Sequence, residues 1–245
     1  MALSPKPQDH DDPAVMIPER VRAQCDELRS FGRRRGRATR ARQIRLYDEL
    51  LPQFDLDLGR PAAEQLDLSR EIWLEIGFGG AEHLLWQAGA NRDVTMIGCE
   101  PFQDGVIKAL DGIEAGGLGN IRLYPDDARA LLRWLPPASL SRAFVLFPDP
   151  WPKKKQAKRR LINPHTLDLL AAALKPGAEL RVATDISDYA RTILRAVHGH
   201  PDIEWPASGP EDWRVRSADW PETRYEQKAH REGRRCAYFR FRRRA

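Results

Sequence analysis

Cysteine is scarce in this chain and badly placed for cross-linking. Cys25, Cys99 and Cys236 are odd in number, far apart, and form no Cys-x-x-Cys. That argues against a disulfide framework and against a zinc site. Cys99 lies in an apolar run and reads as a small buried side chain. The six histidines are scattered. They compose neither a Ser-His-Asp set nor a metal-ligand spacing, so the expected site holds no metal and no activated nucleophile. His83 reads as packing or surface. No apolar run reaches the ~18 residues that a membrane span needs. Residues 1–20 carry acids and prolines where a signal peptide would have an apolar centre. A cytoplasmic protein with no membrane partner is expected. No internal repeat is visible.

Charge is abundant. Lys and Arg number 40 against 35 Asp and Glu, so their distribution matters more than their sum. Arg33, Arg34, Arg35, Arg37, Arg40, Arg42 and Arg45 form one cluster. Lys153, Lys154, Lys155, Lys158, Arg159 and Arg160 form a second. Arg231, Arg234, Arg235, Arg240, Arg242, Arg243 and Arg244 form a third. Clustered cations suit a polyanion such as nucleic acid. The bland alternative is three solvated faces.

The 245 residues divide into a polar tail over 1–18, a basic extension over 19–60 and a main domain over 61–245. Helices are expected over 19–30 and about 41–51. The main domain then alternates. Strands are expected at 72–76, 94–99, 120–124, 143–147 and 179–183. Helices are expected near 81–90, 102–115, 128–135, 166–174 and 189–197. Such alternation implies an α/β protein with right-handed crossovers and a parallel sheet. Residues 203–233 look like an insertion. Residues 236–241 alternate in polarity and read as an added edge strand.

Four strand ends carry the candidate chemistry. Gly77, Gly79 and Gly80 follow the first strand, where a tight turn lets a ligand approach the main chain. Glu100 ends the next strand about twenty residues on, where an acid bonds a ribose diol. Asp127, after the third strand, could take an adenine amino group or simply cap a helix. Glu75 and Glu82 place negative charge around the glycines. A pyrophosphate is disfavoured there, and a cationic cofactor such as S-adenosylmethionine is favoured over NAD. The fourth strand delivers Asp149 between Pro148 and Pro150, followed by Trp151 and the basic tract. This is turn chemistry, or a rigid carboxylate at the ligand-binding edge. Methyl transfer to guanine N7 needs no proton removed. A carboxylate could orient the base through its N1–H and amino group and balance the charge appearing on the purine.

At these residues the chain resembles the bacterial tRNA (guanine-N7-)-methyltransferase family. The resemblance rests on Phe147 to Trp151 (Phe-Pro-Asp-Pro-Trp) with the tract through Arg160. It rests also on Leu74 to Gly79, Ala183 to Asp185 and Thr223 to Glu226. It implies a Rossmann-like class I methyltransferase fold, with a mostly parallel seven-stranded sheet and helices on both faces. It implies S-adenosylmethionine as cofactor and the guanine at position 46 of tRNA as substrate. By motif, Glu75, Gly77, Gly79, Glu100, Asp127 and Asp149 would line the cofactor site, with Asp149 catalytic. Lys153, Asp185, Thr223, Arg224, Tyr225 and Glu226 would contact substrate. Lys155, Lys158, Arg159 and Arg160 would touch RNA. No obligate protein partner is expected; the chain would be a monomer or weak homodimer. A non-catalytic tRNA-binding protein with a Rossmann-like domain is the alternative. Two departures stand out. Ala81 replaces a third glycine found in many relatives, which would be strained if the position needs positive φ. Pro152 replaces a common histidine, which argues against a proton role there.

Overall fold

The structure, a computed structural model, describes residues 41–245. The expected tail, the helix over 19–30, Cys25 and Arg33, Arg34, Arg35, Arg37 and Arg40 lie outside the described residues.

The sheet is built from β1 (Ile72–Ile76), β2 (Thr95–Cys99), β3 (Ile121–Tyr124), β4 (Leu140–Leu146), β5 (Leu174–Thr184), β6 (Ile203–Glu204) and β7 (Ala237–Arg243). Their order is β3-β2-β1-β4-β5-β7-β6. The first five are parallel, and β7 runs antiparallel between β5 and β6. The helices are α1 (Ala41–Arg45), α2 (Glu82–Ala90), α3 (Gln103–Gly116), α4 (Ala128–Trp134), α5 (Pro164–Ala173), α6 (Ser187–His198), α7 (Glu211–Arg214) and α8 (Arg224–Arg231).

The central strands read as continuous apolar runs because both faces are covered. Every residue of β1 and β2 is buried. Successive side chains point to opposite faces. Ile72, Leu74 and Ile76 join the core under α4, α5 and α6. Trp73 joins the core under α2 and α3. Helix starts follow local chemistry. Asn163 caps α5 by accepting the Thr166 N–H, with Pro164 in the first turn.

Three expectations change. First, Cys236 to Phe241 does not form the edge. β7 is flanked by β5 and by the short β6, which pairs Ile203 and Glu204 with Arg243 and Arg242. Tyr238, Phe239 and Phe241 are accordingly buried. Second, the stretch 203–233 contains β6, α7 and α8. Third, β5 starts at Leu174 and passes through Pro176 and Gly177, the latter at φ +78°. Within 41–60, Leu46, Tyr47 and Leu51 are buried in the α2–α3 core. The Leu56 N–H donates to the Leu123 carbonyl at 2.9 Å, and the Leu123 N–H to that of Phe54 at 2.8 Å. Arg42 and Arg45 pair with Asp111 and Glu114 on α3. Their charge is thereby spent within the molecule.

Candidate functional site

Beyond the carboxyl ends of β1, β2 and β4 lies a cavity of about 380 Å³. Its wall includes Gly77, Gly79, Glu100, Asp127, Asp149 and Tyr225. Gly77 and Gly79 sit at φ +74° and +52°, conformations that only glycine adopts without strain. Ala81 adopts φ +66° as the residue preceding α2. The missing third glycine therefore falls on a left-handed position. Helix α3 packs tightly beneath: a Cβ on Gly105 would come within 2.5 Å of the Gly79 carbonyl.

Glu100 is the organiser of this loop. Its Oε2 accepts the Gly79 N–H at 2.8 Å, and its Oε1 accepts the Phe102 N–H at 3.0 Å. Burial pushes its carboxyl up, while those two amides pull the other way. Each carboxylate oxygen keeps a lone pair for a further donor, as a ribose diol would supply. Asp127 caps α4 by accepting the Arg129 N–H at 2.9 Å. The Arg129 guanidinium also holds it, with Nε at 2.8 Å and a terminal nitrogen at 2.5 Å. The capping role is thus occupied, and Arg129 is a neighbour that sequence reasoning missed. Asp126 lines the cavity beside it.

Asp149 stands at the mouth, exposed, with no hydrogen bond or ion pair to another described residue. Desolvation by the surrounding protein pushes its carboxyl up. The backbone around it is strained. Phe147 and Trp151, on either side of the Pro-Asp-Pro triplet, lie at φ +51° and +41°. Two left-handed non-glycine residues cost about 1–3 kcal/mol each. Such strain persists where the surroundings enforce it. Here the Phe147 N–H donates to the Ala183 carbonyl at 2.8 Å. The Arg159 guanidinium lies 5.0 Å from the Trp151 ring centre. Tyr225 shares the cavity wall with Asp149 and Glu100, and its hydroxyl is pushed up by desolvation and then by those two carboxylates.

Several sequence candidates stand elsewhere. Glu75 is not on the cavity wall. It projects to the α2 face, where its Oε2 lies 2.8 Å from His83 Nδ1, and Gln87 meets the far ring nitrogen at 3.1 Å. All three are buried. The only sequence signal was the four-residue spacing of His83 and Gln87 on one helix face. Thr223 and Glu226 form a capping box that starts α8, so this segment is a helix start. Glu226 is 1% exposed and also pairs with Arg216 at 2.8 Å. Arg224 pairs with Glu82 across the glycine turn. Asp185 pairs with Arg234 at 2.6 Å. It is not the α6 cap.

The basic tract divides in two. Lys153, Lys155 and Lys158 are exposed. Arg160 is 4% exposed. Its guanidinium donates to the Pro150 carbonyl at 2.8 Å, to Thr192 at 2.5 Å and to Asp188 at 2.5 Å. Arg160 therefore clamps the Asp149 loop onto α6 and is corrected from an RNA contact to an internal tie.

The donor set suits a cationic ligand. Four carboxylates line the cavity, and Glu82 occupies the first turn of α2. A pyrophosphate would meet repulsion from these groups.

Comparison with known proteins gives a consistent family. Residues 69–238 match the family model described as "Putative methyltransferase". A tRNA (guanine-N(7)-)-methyltransferase of Rhodospirillum rubrum is 50% identical over 227 residues, covering 89% of each chain. One of Chelativorans sp. is 47% identical, covering 86% of this chain and 93% of its own. One of Rhodopseudomonas palustris is 43% identical, covering 98% and 95%. The family model spans well over half of the sequence, and the relatives align nearly end to end. The chain belongs to the tRNA (guanine-N(7)-)-methyltransferase family.

Proposed function

We propose that this protein transfers a methyl group from S-adenosylmethionine to N7 of a guanine in tRNA, the variable-loop guanine at position 46. The observation that carries the reading is Asp149: an unpartnered carboxylate, held on strained backbone, at the mouth of an acid-lined cavity. S-adenosylmethionine, when bound, supplies an electrophilic methyl on a sulfonium. Glu100 would accept the ribose hydroxyls, and Asp126 or Asp127 would face the adenine. Asp149 would accept hydrogen bonds from the guanine N1–H and amino group. N7 carries no proton, so no base is needed. The work is orientation and balance of the positive charge that appears on the purine. The exposed Lys153, Lys155 and Lys158 would hold RNA phosphates. The competing reading, a non-catalytic tRNA-binding protein, leaves the strained Asp149 loop without a task. We place the protein in the cytoplasm, as a monomer or weak homodimer.

The test is incubation with labelled S-adenosylmethionine and unmodified tRNA, followed by mapping of the labelled base. Label at N7 of the variable-loop guanine is expected. Label on another base would overturn the assignment.

A further inference from the structure

A second cavity, of about 960 Å³, opens at the carboxyl end of β5, next to the Asp149 cavity. The two are adjacent because β4 and β5 are paired neighbours. Tyr225 lines one cavity and Glu226 the other. The acids in the second cavity are already answered: Asp185 by Arg234 and Glu226 by Arg216. Three further wall residues, Arg191, Arg214 and Arg235, are exposed and in no ion pair with a described carboxylate. The floor is aromatic. Trp213 stacks on Phe239 with the rings 23° apart, and Trp205 meets Phe239 edge-on. The Arg214 guanidinium lies 4.9 Å from the Trp213 ring centre. Val215, also on the wall, is 59% exposed, an apolar surface left open to water.

Flat aromatic and guanidinium surfaces inside a cationic rim are the means by which proteins hold unpaired nucleotides. Bases stack on the rings, and arginines take the phosphates. We propose that this second cavity binds one or two unpaired nucleotides of the RNA that flank the reacting guanine. The inference rests on the function proposed above. It gives the Trp213–Arg214 segment the task of keeping the target base splayed out toward Asp149. An acidic peptide would satisfy the arginines but leave the apolar and aromatic wall of Trp205, Trp213 and Val215 unused. RNA answers both.

The probe is a fluorescently labelled uridylate pentamer, which lacks guanine and so offers the reaction cavity neither N7 nor the guanine edge that Asp149 would hold. It should bind the full-length wild-type protein and be displaced by tRNA. In the triple variant Arg191→Gln, Arg214→Gln, Arg235→Gln, pentamer affinity should fall about tenfold or more. The apparent KM for tRNA should rise by a similar factor, with affinity for S-adenosylmethionine retained. The slope of log affinity against log salt should shrink by about two, from three lost phosphate contacts. Circular dichroism melts of the triple variant check its fold. If the fold is impaired, Arg235→Gln alone replaces it and should still weaken the pentamer. Equal pentamer binding by a folded variant, or none by the wild type, would overturn the inference while methyl transfer stands. Absence of guanine methylation by the wild type would instead sink the function on which it rests.

Discussion

Asp149 concentrates the chemistry in one side chain. Replacement by Asn should lower kcat/KM by roughly 100-fold or more, as loss of one preorganised charge-stabilising group does, with tRNA still bound. Methylation assays and filter binding on the same variant separate the two. The raised carboxyl also fixes a pH response. Activity needs the ionised form, so the acid limb of the wild-type profile should lie above the ordinary aspartate range. Stability runs the other way. A carboxyl raised on folding contributes stability below its unfolded pKa, and that contribution is lost as pH rises through the folded value. Asp149→Asn should therefore raise the Tm at pH 7, and the gain should shrink toward pH 4. Arg160 and its neighbours separate tie from contact. Arg160→Ala removes three part-buried hydrogen bonds of a buried guanidinium and should cost about 3 kcal/mol in urea unfolding. Lys155→Gln and Lys158→Gln should leave that stability unchanged. Each should instead reduce the salt slope of tRNA binding by about 0.7–0.9. From the sequence, Arg160 is one more cation in a run. Only packing against Tyr189 and Asp188 on α6 separates it from the lysines.

Helix α8 shows how a helix start places a side chain in a site. The Thr223–Glu226 capping box fixes where the helix begins, and that start sets Tyr225 over the glycine turn. Thr223→Ala should destabilise the protein by about 1 kcal/mol and lower kcat/KM by loosening Tyr225. Thr223→Ser should restore both, measured by denaturation and by initial rates. The Thr-x-x-Glu spacing is a capping-box signature, but it lies within the stretch 203–233 that reads as an insertion. The glycine turn shows the opposite balance. Its place after a buried strand was legible, whereas the left-handed backbone at Phe147 and Trp151 was not, and at Ala81 it was raised only by the glycine that many relatives carry there. Alanine and aromatics do not advertise positive φ, and the neighbouring segments that enforce it are distant in sequence.

At the scale of the molecule, β7 closes the sheet from inside. Truncation after Arg235 removes a strand paired on both sides and exposes the apolar surface that Tyr238, Phe239 and Phe241 cover. Loss of a cooperative thermal transition by circular dichroism is the expected result. Alternation of strand and helix along the chain was enough to establish a parallel α/β sheet, since apolar runs of that length must be buried on both faces. The glycine turn, Glu100 and Asp149 could be placed at strand ends for the same reason. Partnership was decided by tertiary structure. Period-two alternation in β1 sends Glu75 to His83 rather than to the cavity. Arg160 is drawn inside, and the pairing of β4 with β5 sets a second, arginine-rimmed cavity beside the first. Residue type and local spacing determine which elements form and where their ends lie. Which charged groups remain free for a ligand depends on neighbours brought together from far along the chain.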